Sequence, residues 1–166
     1  MKMILRLIVL VNIFLASSAI FAQVPYERIL NAEQEPHNWL TYNGSYMSQR
    51  YSQLDQITRD NVGDLELKWV LQNQVFGAWQ SNPIVVDGVM YITERPNSVM
   101  AVDAITGRVF WKYVHTPDER SRVCCGANNR GVAVLGDRVY MGTLDARLVA
   151  LDRINGELLW NAEVGD

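Results

Sequence analysis

Apolar and polar positions alternate along this chain in short runs, and the runs recur. Val85-Val86-Asp87-Gly88-Val89-Met90-Tyr91-Ile92 reads as strand, tight turn and strand, because β-branched and aromatic residues flank a two-residue Asp-Gly turn. Val134-Leu135-Gly136-Asp137-Arg138-Val139-Tyr140-Met141 is the same unit displaced by 49 residues. That displacement also carries Ala101-Val102-Asp103 onto Ala150-Leu151-Asp152, Gly107 onto Gly156 and Trp111 onto Trp160. Both copies read Ala-x-Asp-x-x-x-Gly-x-x-x-Trp. The pattern predicts four strands per repeat, with turns at Thr106-Gly107 and Asn155-Gly156 between the third and fourth strands and a Trp on each closing strand.

A lone four-stranded sheet cannot bury both faces, so such units stack, and a ring of four to eight of them makes a β-propeller. The fold class expected is therefore all-β, a propeller of four-stranded blades. A period near 50 is also that of kelch repeats. Trp69, Trp111 and Trp160 are expected to pack between neighbouring sheets, with no chemistry of their own. Trp69 would end an earlier, incomplete blade, and the alternation of Leu65-Glu66-Leu67-Lys68-Trp69-Val70 predicts its strand. Upstream, Gln23 to about Asn38 is polar, contains Pro25 and Pro36, and reads as an extended lead-in. Trp39 begins ordered structure, Asn43-Gly44 is a turn pair, and a short helical turn is expected before Leu65.

The N-terminus changes the picture. Lys2 and Arg6, the apolar runs Leu7–Val11 and Ile13–Leu15, and the small residues up to Ala22 predict a secretory signal peptide over 1–22, with cleavage after Ala19 the alternative. The apolar run is short for a membrane span of about 20 residues, so no stable span is expected in the mature chain, although an uncleaved anchor would fit the same residues. Residues 23–166 form the mature part. The formal charge of the whole chain is −3; without Lys2 and Arg6 it becomes 13 − 18 = −5. No basic patch occurs, which argues against a nucleic-acid partner.

The only cysteines are neighbours, Cys124 and Cys125. Consecutive Cα atoms lie about 3.8 Å apart, closer than ordinary disulfides prefer, so a bond between them would close a strained ring. Two packed free thiols are the other reading. Asn129-Arg130-Gly131 follows shortly after, with Arg130 five residues past Cys125. With Cys124-Cys125, this motif and the Trp-ended repeats, the chain from Trp39 to Asp166 resembles the pyrroloquinoline quinone (PQQ)-dependent alcohol dehydrogenases, the family of quinoprotein methanol and ethanol dehydrogenases. That resemblance implies an eight-bladed propeller with tryptophan-docking repeats, of which the first two to three blades are present here. It implies that Cys124 and Cys125 form a vicinal disulfide lying over one face of PQQ, and that Arg130 binds the cofactor. Gln80 stands where the family often has a glutamate on a cofactor carboxylate; an amide can donate there, whereas an ionised carboxylate cannot.

The resemblance further implies oxidation of a small alcohol substrate with PQQ and a bound metal ion, Ca²⁺ or a lanthanide, followed by electron transfer to cytochrome c or a similar acceptor in the periplasm. No catalytic residue and no metal ligand can be assigned in this segment, because the family's base and metal ligands fall beyond Asp166. The chain is accordingly expected to be an N-terminal fragment, inactive alone. His37 and His115 belong to no metal-spacing cluster; His115 reads as a loop residue and Thr143-Leu144-Asp145 as a blade element. No CxxCH motif is present, so no c-type haem is expected in this part. The rival reading is a non-catalytic propeller of the same repeat type, an exported scaffold or assembly factor, which would have no use for Cys124, Cys125 and Arg130.

Overall fold

The computed structural model describes residues 24–124 and 126–165, so the signal-peptide reading of 1–22 and the residue Cys125 lie outside the described residues. Two four-stranded antiparallel sheets follow one another. The first contains β1 (Ile84–Val86), β2 (Val89–Glu94), β3 (Ser98–Asp103) and β4 (Val109–Val114), in that order. The second repeats it with β5 (Ala133–Leu135), β6 (Arg138–Gly142), β7 (Arg147–Asp152) and β8 (Leu158–Glu163). The 49-residue displacement extends to the irregularities. β4 bulges against Ala101/Val102 and β8 against Ala150/Leu151.

The local chemistry explains the turns. Asp87 and Gly88 both take positive φ, 52° and 78°, as a two-residue hairpin of the primed type requires. At the β3–β4 turn the Asp103 carboxylate accepts from the N–H of Ile105 at 2.9 Å and the hydroxyl of Thr106 at 2.7 Å. At the β7–β8 turn Asp152 accepts from Ile154 at 2.8 Å and Asn155 at 3.0 Å. The motif Asp is thus a turn former that satisfies its own backbone.

The motif Gly is fixed by both conformation and space. Gly107 and Gly156 each have φ +75°, and a Cβ there would lie 2.6 Å from the Trp69 ring and 2.5 Å from the Trp111 ring respectively. Each indole therefore docks on the Gly of the following repeat. Each also donates its Nε1–H to a carbonyl just past the motif Asp: Trp69 to Ala104 at 3.2 Å and Trp111 to Arg153 at 3.2 Å. Tyr91 meets Trp111 from within its own sheet, with centroids 6.0 Å apart, and Tyr140 meets Trp160 likewise at 5.9 Å. Trp111 is buried, as are Tyr91, Val99, Ala101, Val139, Met141 and Val149, which form one core between the sheets.

Two expectations need correction. Leu65–Val70 forms no strand, and Leu67 and Val70 are exposed. Alternation alone does not make a strand; the segment lacks a neighbouring strand to pair with among the described residues, and only its Trp69 is anchored. The lead-in is also not simply extended. α1 (Tyr26–Leu30) and a 3₁₀ turn (Ala32–Gln34) bury Ile29 and Ala32 in the core. Flanking bridges attach this segment to both repeats, Val24 to Gly136 and Trp39 to Val85. Val62–Asp64 forms the expected short helical turn.

Arg28 locks the segment onto the first hairpin. Its guanidinium binds Glu35 at 2.7 Å and reaches both oxygens of Asp87. Arg28 holds the carboxyls of Glu35 and Asp87 below their ordinary values of 4.5 and 3.8. Depressed carboxylate pKa values contribute stability that is present above the unfolded values and lost as pH falls through the folded ones. Arg28→Ala is therefore expected to lower the thermal midpoint at neutral pH, with the difference from wild type vanishing in strong acid. Melting both proteins across that range checks this; a difference that persists unchanged in acid contradicts it.

Candidate functional site

The Asn129-Arg130-Gly131 segment is pinned from three sides. Asn129 is buried; its Nδ2 donates to the Gly142 carbonyl at 2.8 Å and its Oδ1 accepts from the Gly131 N–H at 3.1 Å. The Thr93 hydroxyl on β2 donates to the Asn129 carbonyl at 3.1 Å. The Arg130 carbonyl accepts from the Asn82 N–H at 3.0 Å. Gly131 has φ +139° and a Cβ there would sit 3.0 Å from the Asn82 carbonyl, so this close approach of two backbones needs glycine. The motif backbone is held throughout, and the Arg130 side chain is exposed.

Gln80 and Arg130, fifty residues apart in the chain, come together: Arg130 Nε donates to Gln80 Oε1 at 3.1 Å. The loop that places Gln80 is tied down by the next residue, whose hydroxyl oxygen, Ser81 Oγ, accepts from the Thr93 N–H at 2.8 Å. Thr93 thus anchors both halves of the site. Sequence reasoning named Asn129 as part of the motif without its bracing role and missed Thr93, whose only signal was that it shares the inward face of β2 with Tyr91. Arg130 has no carboxylate partner among the described residues. A neutral amide orients the guanidinium without cancelling its charge, and the outer N–H groups remain for an anion. The cation borders a shallow cavity of about 390 Å³, walled by Tyr42, Val132 and Leu144.

Cys124 is exposed in a turn on the approach to this site; its neighbour Cys125 lies outside the described residues, so the pairing of the two sulfurs is not described. The stretch leading into the cysteines is held at its start. His115 Nε2 lies 3.0 and 2.9 Å from the two oxygens of Asp145, both side chains are largely buried, and the Asp118 N–H donates to Asp145 at 3.2 Å. Burial alone would raise the Asp145 pKa, but hydrogen bonds from Thr143, His115 and the Asp118 backbone prevail and bring it to about 2. His115 is a loop residue as read, with Asp145 as a partner that no spacing rule reveals. Among the described residues no group of three or more His, Cys, Asp or Glu could hold a metal ion, and no helix is long and apolar enough to cross a membrane.

These observations define a class. The chain consists of propeller-type blades that dock through tryptophans and carry, on one loop cluster, an exposed cysteine and an amide-oriented arginine. The family model described as "PQQ: Glucose/ethanol/alcohol dehydrogenase, beta-propeller domain" matches residues 39–161, and the chain belongs to that family. Among curated relatives, the dehydrogenase subunit of a quinone-dependent alcohol dehydrogenase from Gluconacetobacter polyoxogenes is 44% identical over 137 residues, which is 81% of this chain and 19% of that protein. The solved quinohemoprotein alcohol dehydrogenase ADHIIG of Pseudomonas putida HK5 superposes with a TM-score of 0.78 at 43% identity, over 87% of this chain and 21% of that one. A europium-containing methanol dehydrogenase gives 0.77 at 32% identity, over 84% and 25%. The chain spans about a fifth of the length of the curated relative.

Proposed function

We propose that this chain supplies one side of the cofactor site of an exported PQQ-dependent alcohol dehydrogenase. The observation that carries the reading is the Arg130–Gln80 pair, a guanidinium without a carboxylate partner among the described residues, oriented at 3.1 Å by an amide oxygen. PQQ is a planar tricarboxylate, and the residues fit it: Arg130 offers paired donors to a carboxylate and the Gln80 amide N–H₂ offers a neutral donor beside it. Cys124 and Cys125, joined, would form a flat lid over the ring and exclude water. PQQ, when bound, supplies the hydride acceptor for alcohol oxidation. In this reading the base, the ligands of a Ca²⁺ or lanthanide ion and the contact surface for a cytochrome-type acceptor lie in the four-fifths of the relatives' length that the chain does not span. Residues 1–22 would direct export to the periplasm.

The names of the relatives, all alcohol or methanol dehydrogenases, support the substrate class. Alcohol-dependent reduction of an artificial dye by a full-length protein that contains this segment, supplied with PQQ and Ca²⁺ or a lanthanide, tests the proposal. Turnover that requires both PQQ and an alcohol supports it. Stoichiometric PQQ binding without turnover of any primary or secondary alcohol would overturn the enzymatic part, and absence of binding would favour the scaffold reading.

A further inference from the structure

Arg95 follows directly on β2 and belongs to none of the motifs above. Its Nε donates to the Ala127 carbonyl at 3.3 Å and its Nη1 to the Phe76 carbonyl at 3.3 Å. The two carbonyls sit on different loops. Phe76 lies four residues before Gln80; Ala127 lies between the cysteines and Arg130. The guanidinium rests against Gly77, where φ is +116° and a Cβ would meet Nη1 at 1.7 Å. Only glycine at 77 admits the cation in this position. Arg95 is half-buried and forms no ion pair among the described residues, so no carboxylate competes with the two carbonyls for its guanidinium.

We propose that Arg95 is a positioning residue: a single cation that spans two loops and fixes the loop bearing Gln80 against the loop bearing Cys124, Cys125 and Arg130. The inference rests on the PQQ reading of that site for its consequence, and on the two carbonyl contacts for its cause. A planar guanidinium can address two carbonyls in fixed directions, whereas an ammonium is a point donor on a flexible stem. Arg95→Lys is therefore expected to restore little of what Arg95→Ala removes. Gly77→Ala, which evicts the guanidinium from the opposite side, is expected to reproduce the phenotype of Arg95→Ala.

The test uses the intact protein and two readouts. Backbone amide exchange over 76–82 and 126–130, measured without PQQ, reports the tether itself. PQQ affinity, measured by fluorescence titration, reports its consequence. In both variants exchange is expected to rise in the two loops together and PQQ affinity to fall by about tenfold, the scale of one charge-assisted hydrogen bond. Arg28→Ala, which lies outside the site, is expected to lower the melting midpoint while leaving both readouts at wild-type values. Unchanged exchange in either loop overturns the proposal, as does unchanged PQQ affinity with exchange raised in both. If the wild type takes up no PQQ, the cofactor reading falls, and coupled exchange of the two loops still decides whether Arg95 holds them.

Discussion

Replacing Arg130 with methionine is expected to weaken PQQ binding by roughly 10- to 150-fold, because a hydrogen bond to a charged group is worth about 1.5–3 kcal/mol. The size follows from the surroundings of the side chain. The motif backbone is held by Asn129, Thr93 and Asn82, so the substitution removes an exposed side chain and leaves its support intact. No carboxylate partner is stranded, because the orienting group is the neutral Gln80 amide. Stability should therefore change little while affinity changes much. Arg130→Lys should fall between, keeping the charge but losing the paired donors, and Gln80→Ala should cost less than either. Titration of each variant with PQQ, alongside its melting midpoint, checks the order. Wild-type affinity in Arg130→Met would contradict the assignment.

Trp111→Ala should be the most destabilising of the single substitutions considered, at about 3–5 kcal/mol, the usual cost of removing a large aromatic from a core. The indole is 8% exposed, covers Gly156 of the next repeat, meets Tyr91 and donates to the Arg153 carbonyl. Its loss opens a cavity between two sheets and leaves that buried carbonyl without its indole donor. The neighbouring Phe110, in the bulge of β4, is 44% exposed and lies under Arg108, so Phe110→Ala should cost well under half as much. Denaturant midpoints of the two variants compare them directly. Similar losses would mean that docking of the repeat tryptophans does not hold adjacent blades together.

The repeats were legible because each landmark has a local cause. Asp103 and Asp152 bond to their own turns, Gly107 and Gly156 take a backbone conformation that disfavours other residues, and Trp111 needs a glycine opposite it. Such requirements write themselves into a fixed spacing. Leu65–Val70 misled because alternation records which faces differ in polarity, while a strand also needs a neighbour. The lead-in misled in the other direction: its helical turn is held by tertiary contacts of Ile29 and by the Arg28 clamp on Asp87, 59 residues away. Within the site, Arg130 and Gln80 were legible only through resemblance to a family. Thr93 and Arg95, which position them, act by reaching across to loops distant in sequence, and no spacing rule encodes that.

We propose that this chain carries part of a PQQ site. Equilibrium titration of the intact wild-type protein with PQQ, followed by quenching of tryptophan fluorescence, addresses it most directly. Saturable binding of one PQQ per chain is expected, weakened in Arg130→Met without a matching loss of stability. Binding that never saturates, or that is indifferent to Arg130, would contradict it.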